Sequence, residues 1–191
     1  HKHNEKDFTH YRTYRRYFPG ANAQIKSSGF KLIGSAGLGA SWLTLGGSDY
    51  ERSESATGFG TINPQLDVTA GANVTPNLFI GLGIGYDARC YVSNCSGMGT
   101  VSELKIPATL RFYVSPQNSK GLIIDVKGGY SRLLSDGGMN GGNLFVGPGY
   151  MFSRRCAISL GYEGSFFRKS VLGLTSKASY NGLAARFSIE F

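Results

Sequence analysis

The sequence is short of charge, of histidine and of long apolar runs, and each shortage narrows what the protein can be. Only 17% of its 191 residues are charged, against roughly 25% in an ordinary soluble domain, so a large solvated surface would be under-supplied. No stretch approaches the roughly 18 consecutive apolar residues of a transmembrane helix, which is therefore excluded. The three histidines stand at positions 1, 3 and 10. No imidazole base is therefore available along the rest of the chain, and the usual His-dependent hydrolase arrangements cannot be assembled there. Three cysteines are too few for a disulfide scaffold. Cys90 and Cys95 are close enough to close a small loop in an oxidising compartment, and two free thiols is the equal alternative. Beginning at His1 with neither an initiator Met nor an apolar leader core, the chain reads as a mature one whose export signal has been removed.

What is present is glycine, 28 residues, and a 13% aromatic fraction, both set within periodic segments. Residues 1–28 stand apart. They hold all three histidines and six of the 20 Lys and Arg, with only Glu5 and Asp7 as acids. Phe8, Tyr11, Tyr14 or Arg15, and Phe18 recur at helical spacing, with Asp7 placed to cap and Pro19-Gly20 to stop a helix. Two readings stand: a short basic helix on a membrane surface or partner, and an unstructured leader. Tyr11, Arg12, Tyr14, Arg15, Arg16 and Tyr17 are the candidate contacts to lipid or to another outer-membrane or periplasmic protein, joined by Arg154 and Arg155 from a turn.

From residue 29 to 191 the hydrophobic period is two, the signature of β-strands. Eight runs are expected, near 29–43, 61–73, 77–89, 100–114, 120–133, 143–153, 156–168 and 178–191. The fourth is clearest, with Leu104, Ile106, Ala108, Leu110, Phe112 and Val114 on one face and Glu103, Lys105, Pro107, Thr109, Arg111 and Tyr113 on the other. No helix-period segment interrupts the series, so an all-β, antiparallel up-and-down meander follows. Connections after even-numbered strands are short. Those after odd-numbered strands, near 44–60, 90–99, 134–142 and 169–177, are longer and rich in Gly, Ser and Asn. Short turns at one end and long loops at the other describe an eight-stranded transmembrane barrel of the outer membrane, with its turns and termini in the periplasm and its loops outside.

A soluble lipocalin-like carrier would alternate as well, with the apolar face inward. Three features favour the inverted arrangement. The apolar face carries almost no charge. The opposite face is crowded with glycine (Gly37, Gly39, Gly81, Gly83, Gly85, Gly129, Gly147, Gly149, Gly161), as a narrow eight-strand lumen demands. Aromatics such as Trp42, Tyr86, Phe112, Tyr130, Tyr150, Phe152, Tyr162, Phe166 and Phe191 gather toward strand ends, as in interfacial girdles. Turning the glycine face inward puts Lys31, Arg89, Lys105, Arg111, Lys127 and Arg186 in the lumen with Asp67, Asp87, Glu103, Asp125, Glu163 and Glu190. That lumen is formally neutral and the whole net charge of +8 lies outside it. A balanced set predicts a salt-bridged plug; a pore selective for one ion sign would carry an excess.

The ending Phe187-Ser188-Ile189-Glu190-Phe191 resembles the C-terminal strand of outer-membrane proteins, whose last residue is commonly Phe and is read by the barrel-assembly machinery. Ser102 to Tyr113 resembles the "LEIPLLLKYY"-like strand of the small outer-membrane β-barrel domain family of Bacteroides-type bacteria. Lys105 stands where that pattern usually has Glu, with Glu103 two residues earlier. The resemblance covers residues 29–191 and implies location and fold, with no activity.

Gly81-Leu82-Gly83-Ile84-Gly85 and the glycines of 34–39 continue strands and open no helix, so they are not phosphate loops. His1-Lys2-His3 lacks the acidic or Cys partners of a metal site. Neither a catalytic residue, a cofactor nor a metal is expected, and the basic excess has no nucleic-acid-binding fold around it. The functional expectation is a non-enzymatic, plugged barrel serving as a structural or accessory subunit of an envelope complex. An adhesin acting through its outer loops (44–60 being the longest) and a narrow channel are the alternatives.

Overall fold

The computed structural model describes residues 29–47, 57–91, 99–114, 120–134, 138–171 and 174–191. The expectations for residues 1–28, for Cys95 and for most of loop 44–60 fall outside them. The described chain forms eight strands: β1 (Phe30–Gly47), β2 (Thr57–Thr75), β3 (Leu78–Tyr91), β4 (Thr100–Tyr113), β5 (Gly121–Leu133), β6 (Asn140–Met151), β7 (Cys156–Val171) and β8 (Leu174–Glu190). Each pairs antiparallel with the next, and β8 returns to β1, closing the barrel. Ile33 pairs with Glu190 at this seam, and Phe191 N–H donates to Leu32 O at 2.8 Å.

The registers give the tilt. Stepping from Ala36 across partners Leu66, Tyr86, Leu104, Arg132, Asn140, Arg168 and Lys177 leads back to β1 at Gly46, ten residues from the start. Such a stagger is what closing a strongly tilted sheet requires. It bends the strands so sharply that neighbouring backbones touch. A Cβ on Gly147 would stand 2.5 Å from the Cα of its cross-strand partner Gly161, and Gly71 faces Gly81 in the same way. Only glycine permits that approach.

Alternation resolves onto two faces. Leu104 and Ile106 are 43% and 49% exposed, while Lys105 and Arg111 between and beyond them are buried at 5% and 1%. The outer surface is therefore a continuous apolar belt, the arrangement a lipid solvent requires and water does not tolerate over such an area. Aromatics bound the belt. Phe30, Phe112, Tyr150, Phe152 and Phe191 ring the end that holds the C-terminus, and Trp42, Tyr86, Tyr130, Tyr162 and Phe166 ring the other, all exposed. The tyrosines of the second ring hold their hydroxyls away from the belt, Tyr86 on Ser102 Oγ, Tyr130 on Asn140 Oδ1 and Tyr162 on Asn181 Oδ1 at 2.6–2.7 Å. An aromatic body in hydrocarbon with a polar tip in the headgroups is the interfacial pattern.

The strands run further than the apolar periodicity suggests. Segment 169–177, expected as a loop, continues the β7–β8 ladder out to Val171↔Leu174, and β1 and β2 reach Gly47 and Thr57. Above the belt no lipid demands an apolar face, so the period fades while backbone groups still find ladder partners. The two short turns among the described residues, β2–β3 and β6–β7, lie as expected. In one, Asn77 Nδ2 donates to Tyr113 O at 2.6 Å; in another, Ser153 Oγ accepts from the backbone N–H groups of Arg155 and Cys156 at 3.2 and 2.9 Å.

Leu160 sits near mid-belt and is 60% exposed. Leu160→Arg is expected to lower the unfolding free energy by about 2–4 kcal/mol, the midplane cost of a lipid-facing cation. Urea titration of the protein folded into phosphatidylcholine vesicles checks this; in a water-soluble barrel the change would be near neutral.

Candidate functional site: a charge-paired lumen

Inward positions of β1 to β8 bring the twelve sequence-selected charges into the lumen, all buried except half-buried Lys31. They form two ion-pair clusters. The first lies toward the C-terminal end. Arg111 grips Asp125 with two parallel bonds, Nε to Oδ1 at 2.6 Å and Nη2 to Oδ2 at 2.9 Å, and its Nη1 reaches Glu190 Oε1 at 2.9 Å. Lys31 Nζ closes on Glu190 Oε2 at 3.0 Å. Two cations and two carboxylates leave no net charge. The carboxylates' remaining lone pairs accept from Tyr113 OH, at 2.7 Å on Glu190, and from Ser159 Oγ, at 2.6 Å on Asp125. Ser188 Oγ takes a further bond from Arg111 at 2.9 Å.

The second cluster fills the middle and the far half. Lys127 Nζ meets Asp67 Oδ1 at 2.5 Å, and Arg186 Nη1 meets Asp67 Oδ2 at 3.0 Å. Arg186 then leads to Glu163 at 3.5 Å, Glu163 to Lys105 at 2.7 Å, and Lys105 pairs with Asp87. Arg89 connects Asp87, at 3.8 Å, to Glu103, at 2.5 Å. Four cations and four carboxylates again sum to zero. Arg89 and Arg186 also lie over the rings of Tyr180 and Phe145, 4.3 and 4.4 Å from their centroids, where cation–π attraction adds to the pairing.

Uncharged polar residues complete the network, and sequence reasoning did not single them out. Gln65 Nε2 donates to Glu163. Ser165 Oγ accepts from Arg89 Nη2 at 2.8 Å and donates to Glu103 Oε1 at 3.1 Å. Ser41 Oγ lies 2.7 Å from Thr61 Oγ1 and accepts from Asn63 Nδ2 at 2.8 Å. Their inward parity on strands whose charges face the lumen was the available signal. The lumen ends were missed too. Below the first cluster the inward face turns apolar, with Ile33, Phe79, Tyr113, Ile123, Met151 and Ala157 packed together; above the second, Leu43, Val101, Leu133, Phe167, Ala178 and Tyr180 do the same. A sign was the run Leu78-Phe79-Ile80, where alternation lapses because Phe79 is also apolar.

Space is scarce between these layers. The gap among Asp67, Asp87, Lys105, Lys127, Phe145 and Arg186 measures about 10 Å³, the least that holds one water. Chemically the arrangement is a store of mutually neutralised charge. Removing one member would leave its partner buried and uncompensated.

Of the other selected residues, Arg154 and Arg155 lie exposed in the β6–β7 turn at the C-terminal end, and Phe191 is exposed beside the β1–β8 seam. Cys90, on the outward face of β3, and Cys156 are bonded to no other cysteine among the described residues; Cys95 lies outside them.

No protein-family model matches the sequence, and no curated protein matches it. Solved structures do resemble the fold. The crystal structure of Neisserial surface protein A (NspA) superposes with a TM-score of 0.51 at 16% identity, over 86% of this chain and 99% of that one. The outer-membrane protein OprG of Pseudomonas aeruginosa aligns at 11% identity and a TM-score of 0.47, over 86% and 97% of the two chains. The outer-membrane protein AlkL, solved in DMPC bilayers, aligns at 12% and 0.47, over 91% and 95%. The likeness to the neisserial protein is one of fold: a small, closed, eight-stranded transmembrane barrel of the outer-membrane type.

Asp125→Asn is expected to lower stability by about 3–5 kcal/mol, because Arg111 loses a bidentate partner in a buried site. The double variant Arg111→Met/Asp125→Leu keeps the cluster neutral and is expected to recover most of that loss. Urea midpoints in vesicles distinguish the two; equal losses would contradict the pairing account.

Proposed function

We propose that this chain is a non-enzymatic integral outer-membrane barrel that does not conduct and works through its surfaces, as a structural or accessory subunit of a larger envelope assembly. The observation that supports this reading is the lumen: both ion-pair clusters are internally neutral, apolar plugs pack beyond them, and the gap among Asp67, Lys105, Lys127 and Arg186 is about one water in size. A selective channel needs a continuous polar path and a preferred sign of charge, and the described lumen offers neither. In this reading the chain divides into a basic segment, 1–28, and the barrel, 29–191. The turns and the C-terminus face the periplasm and the longer loops face outward. Tyr11, Arg12, Tyr14, Arg15, Arg16 and Tyr17 meet a periplasmic or membrane partner from the same side as Arg154 and Arg155. Phe191 serves the barrel-assembly machinery during insertion, and the barrel is of the Bacteroides-type small-domain kind.

Affinity capture of the full chain from detergent-solubilised native membranes tests the subunit role. A stoichiometric partner is expected to co-purify and to be lost when residues 2–27 are deleted. A barrel that purifies alone would overturn this role. Planar-bilayer recordings of the purified protein are expected to show no discrete conductance, and steady single-channel steps would favour the channel reading instead.

A further inference from the structure

The charges outside the lumen are one-sided. Every acidic residue among the described ones, Asp67, Asp87, Glu103, Asp125, Glu163 and Glu190, sits in the lumen and is ion-paired there. The described charges left for the outer surface are all cationic, and three of them fall in a single row. Arg132 on β5 pairs in register with Asn140 on β6, Asn140 with Arg168 on β7, and Arg168 with Lys177 on β8. All four side chains are exposed on the outer face. At about 4.8 Å per strand the row spans about 14 Å around the wall.

Two cations directly opposed across a ladder, as Arg168 and Lys177 are, repel each other unless an anion sits between them. Among the described residues none of the three cations has an ion-pair partner. Their height along the barrel narrows the choice of anion. Arg132 and Arg168 each lie two residues beyond a girdle aromatic, Tyr130 and Phe166, on the side away from the C-terminus. That is the headgroup level of the leaflet at this end. Arg168 and Lys177 also rim a hollow of about 370 Å³ with Gly46, Phe166 and Ser179, whose floor is closed by Leu45, Phe167 and Ala178 at the edge of the upper apolar plug. A basic rim over a partly apolar floor matches a phosphate with a chain attached.

We infer that the Arg132–Asn140–Arg168–Lys177 row is a binding site for the headgroup of a multiply phosphorylated lipid in the leaflet facing the longer loops. Guanidinium groups take phosphate oxygens in bidentate fashion, and the ammonium of Lys177 adds a point charge. Asn140, already accepting from Tyr130 OH, keeps its amide N–H groups available as donors. The site rests on the membrane placement of the barrel. It is independent of the subunit role, since a barrel that purifies alone could still hold the lipid.

The test uses the full chain folded into phosphatidylcholine vesicles doped with diphosphoryl lipid A, with retained lipid measured by mass spectrometry after detergent extraction. The native chain is expected to retain lipid A above its bulk fraction. Arg168→Gln is expected to weaken retention about fivefold, and Arg132→Gln/Arg168→Gln/Lys177→Gln about a hundredfold, near one surface-charge increment per cation. Lys169→Gln, next along β7 and turned to the barrel mouth, is expected to leave retention unchanged. Circular dichroism and the heat-modifiable gel shift confirm that each variant folds. Equal retention by native and triple-variant chains overturns the site. So does equal retention of a fully dephosphorylated glycolipid, or displacement of lipid A by millimolar inorganic phosphate, which would mark a free-phosphate site.

Discussion

Holding twelve charged side chains, eleven of them buried, inside a tube whose outside is hydrocarbon is the constraint on which the rest of this structure depends. A carboxylate or ammonium taken out of water loses solvation worth several kcal/mol, and only pairing with good geometry returns it. The barrel meets that demand by composition and by placement. Equal numbers of opposite charges occupy the lumen, and they divide into two groups that are each neutral. A cluster carrying a net charge would have to draw counterions through the apolar plugs at either end. Glycine belongs to the same constraint. Long side chains such as Arg186, Glu163 and Lys105 cross a lumen that an eight-stranded wall leaves narrow, and they fit because Gly37, Gly39 and Gly85 beside them contribute no bulk.

Much of this was legible in the sequence, because period two is rigid. Once Leu104 and Ile106 are assigned outward, Lys105 and Arg111 can only point in, and the assignment propagates along each strand. The orientation followed from chemistry that lipid imposes on every strand at once: no charge on one face and glycine on the other. What the sequence concealed lay where that demand ends. Segment 169–177 reads as loop because neither face needs to be apolar above the membrane, yet β7 and β8 stay paired to Val171 and Leu174. Phe79, Phe145 and Phe167 turn inward although they are apolar, since a lumen residue is sheltered from water whatever its chemistry. Ser159, Ser165 and Gln65 were hidden for a different reason. Their role is to complete the hydrogen bonding of a carboxylate on another strand, and such long-range partnerships leave no local pattern.

The division between a filled interior and a one-sided exterior explains why function is sought at the surface. Inside, every lumen cation meets a carboxylate within the barrel, so the chemistry is spent on holding the wall together. Outside, the described charges are all basic and lie at the two rims: Lys120, Arg154 and Arg155 at the end bearing the C-terminus, and Arg132, Arg168, Lys169 and Lys177 at the other. Between them runs a belt with aromatic margins. A molecule built in this way presents cations to both headgroup layers and little else to the bilayer core, and it suits anchoring and association more readily than transport.

The direction in which the apolar face points is the central claim, and nitroxide accessibility reports it most directly. Single cysteines at Leu82, Ile106 and Leu160, in a chain whose native cysteines are serine, would be spin-labelled and folded into phosphatidylcholine vesicles. The account predicts frequent collisions with oxygen and few with a water-soluble nickel chelate at all three sites. High nickel accessibility at those positions would contradict it.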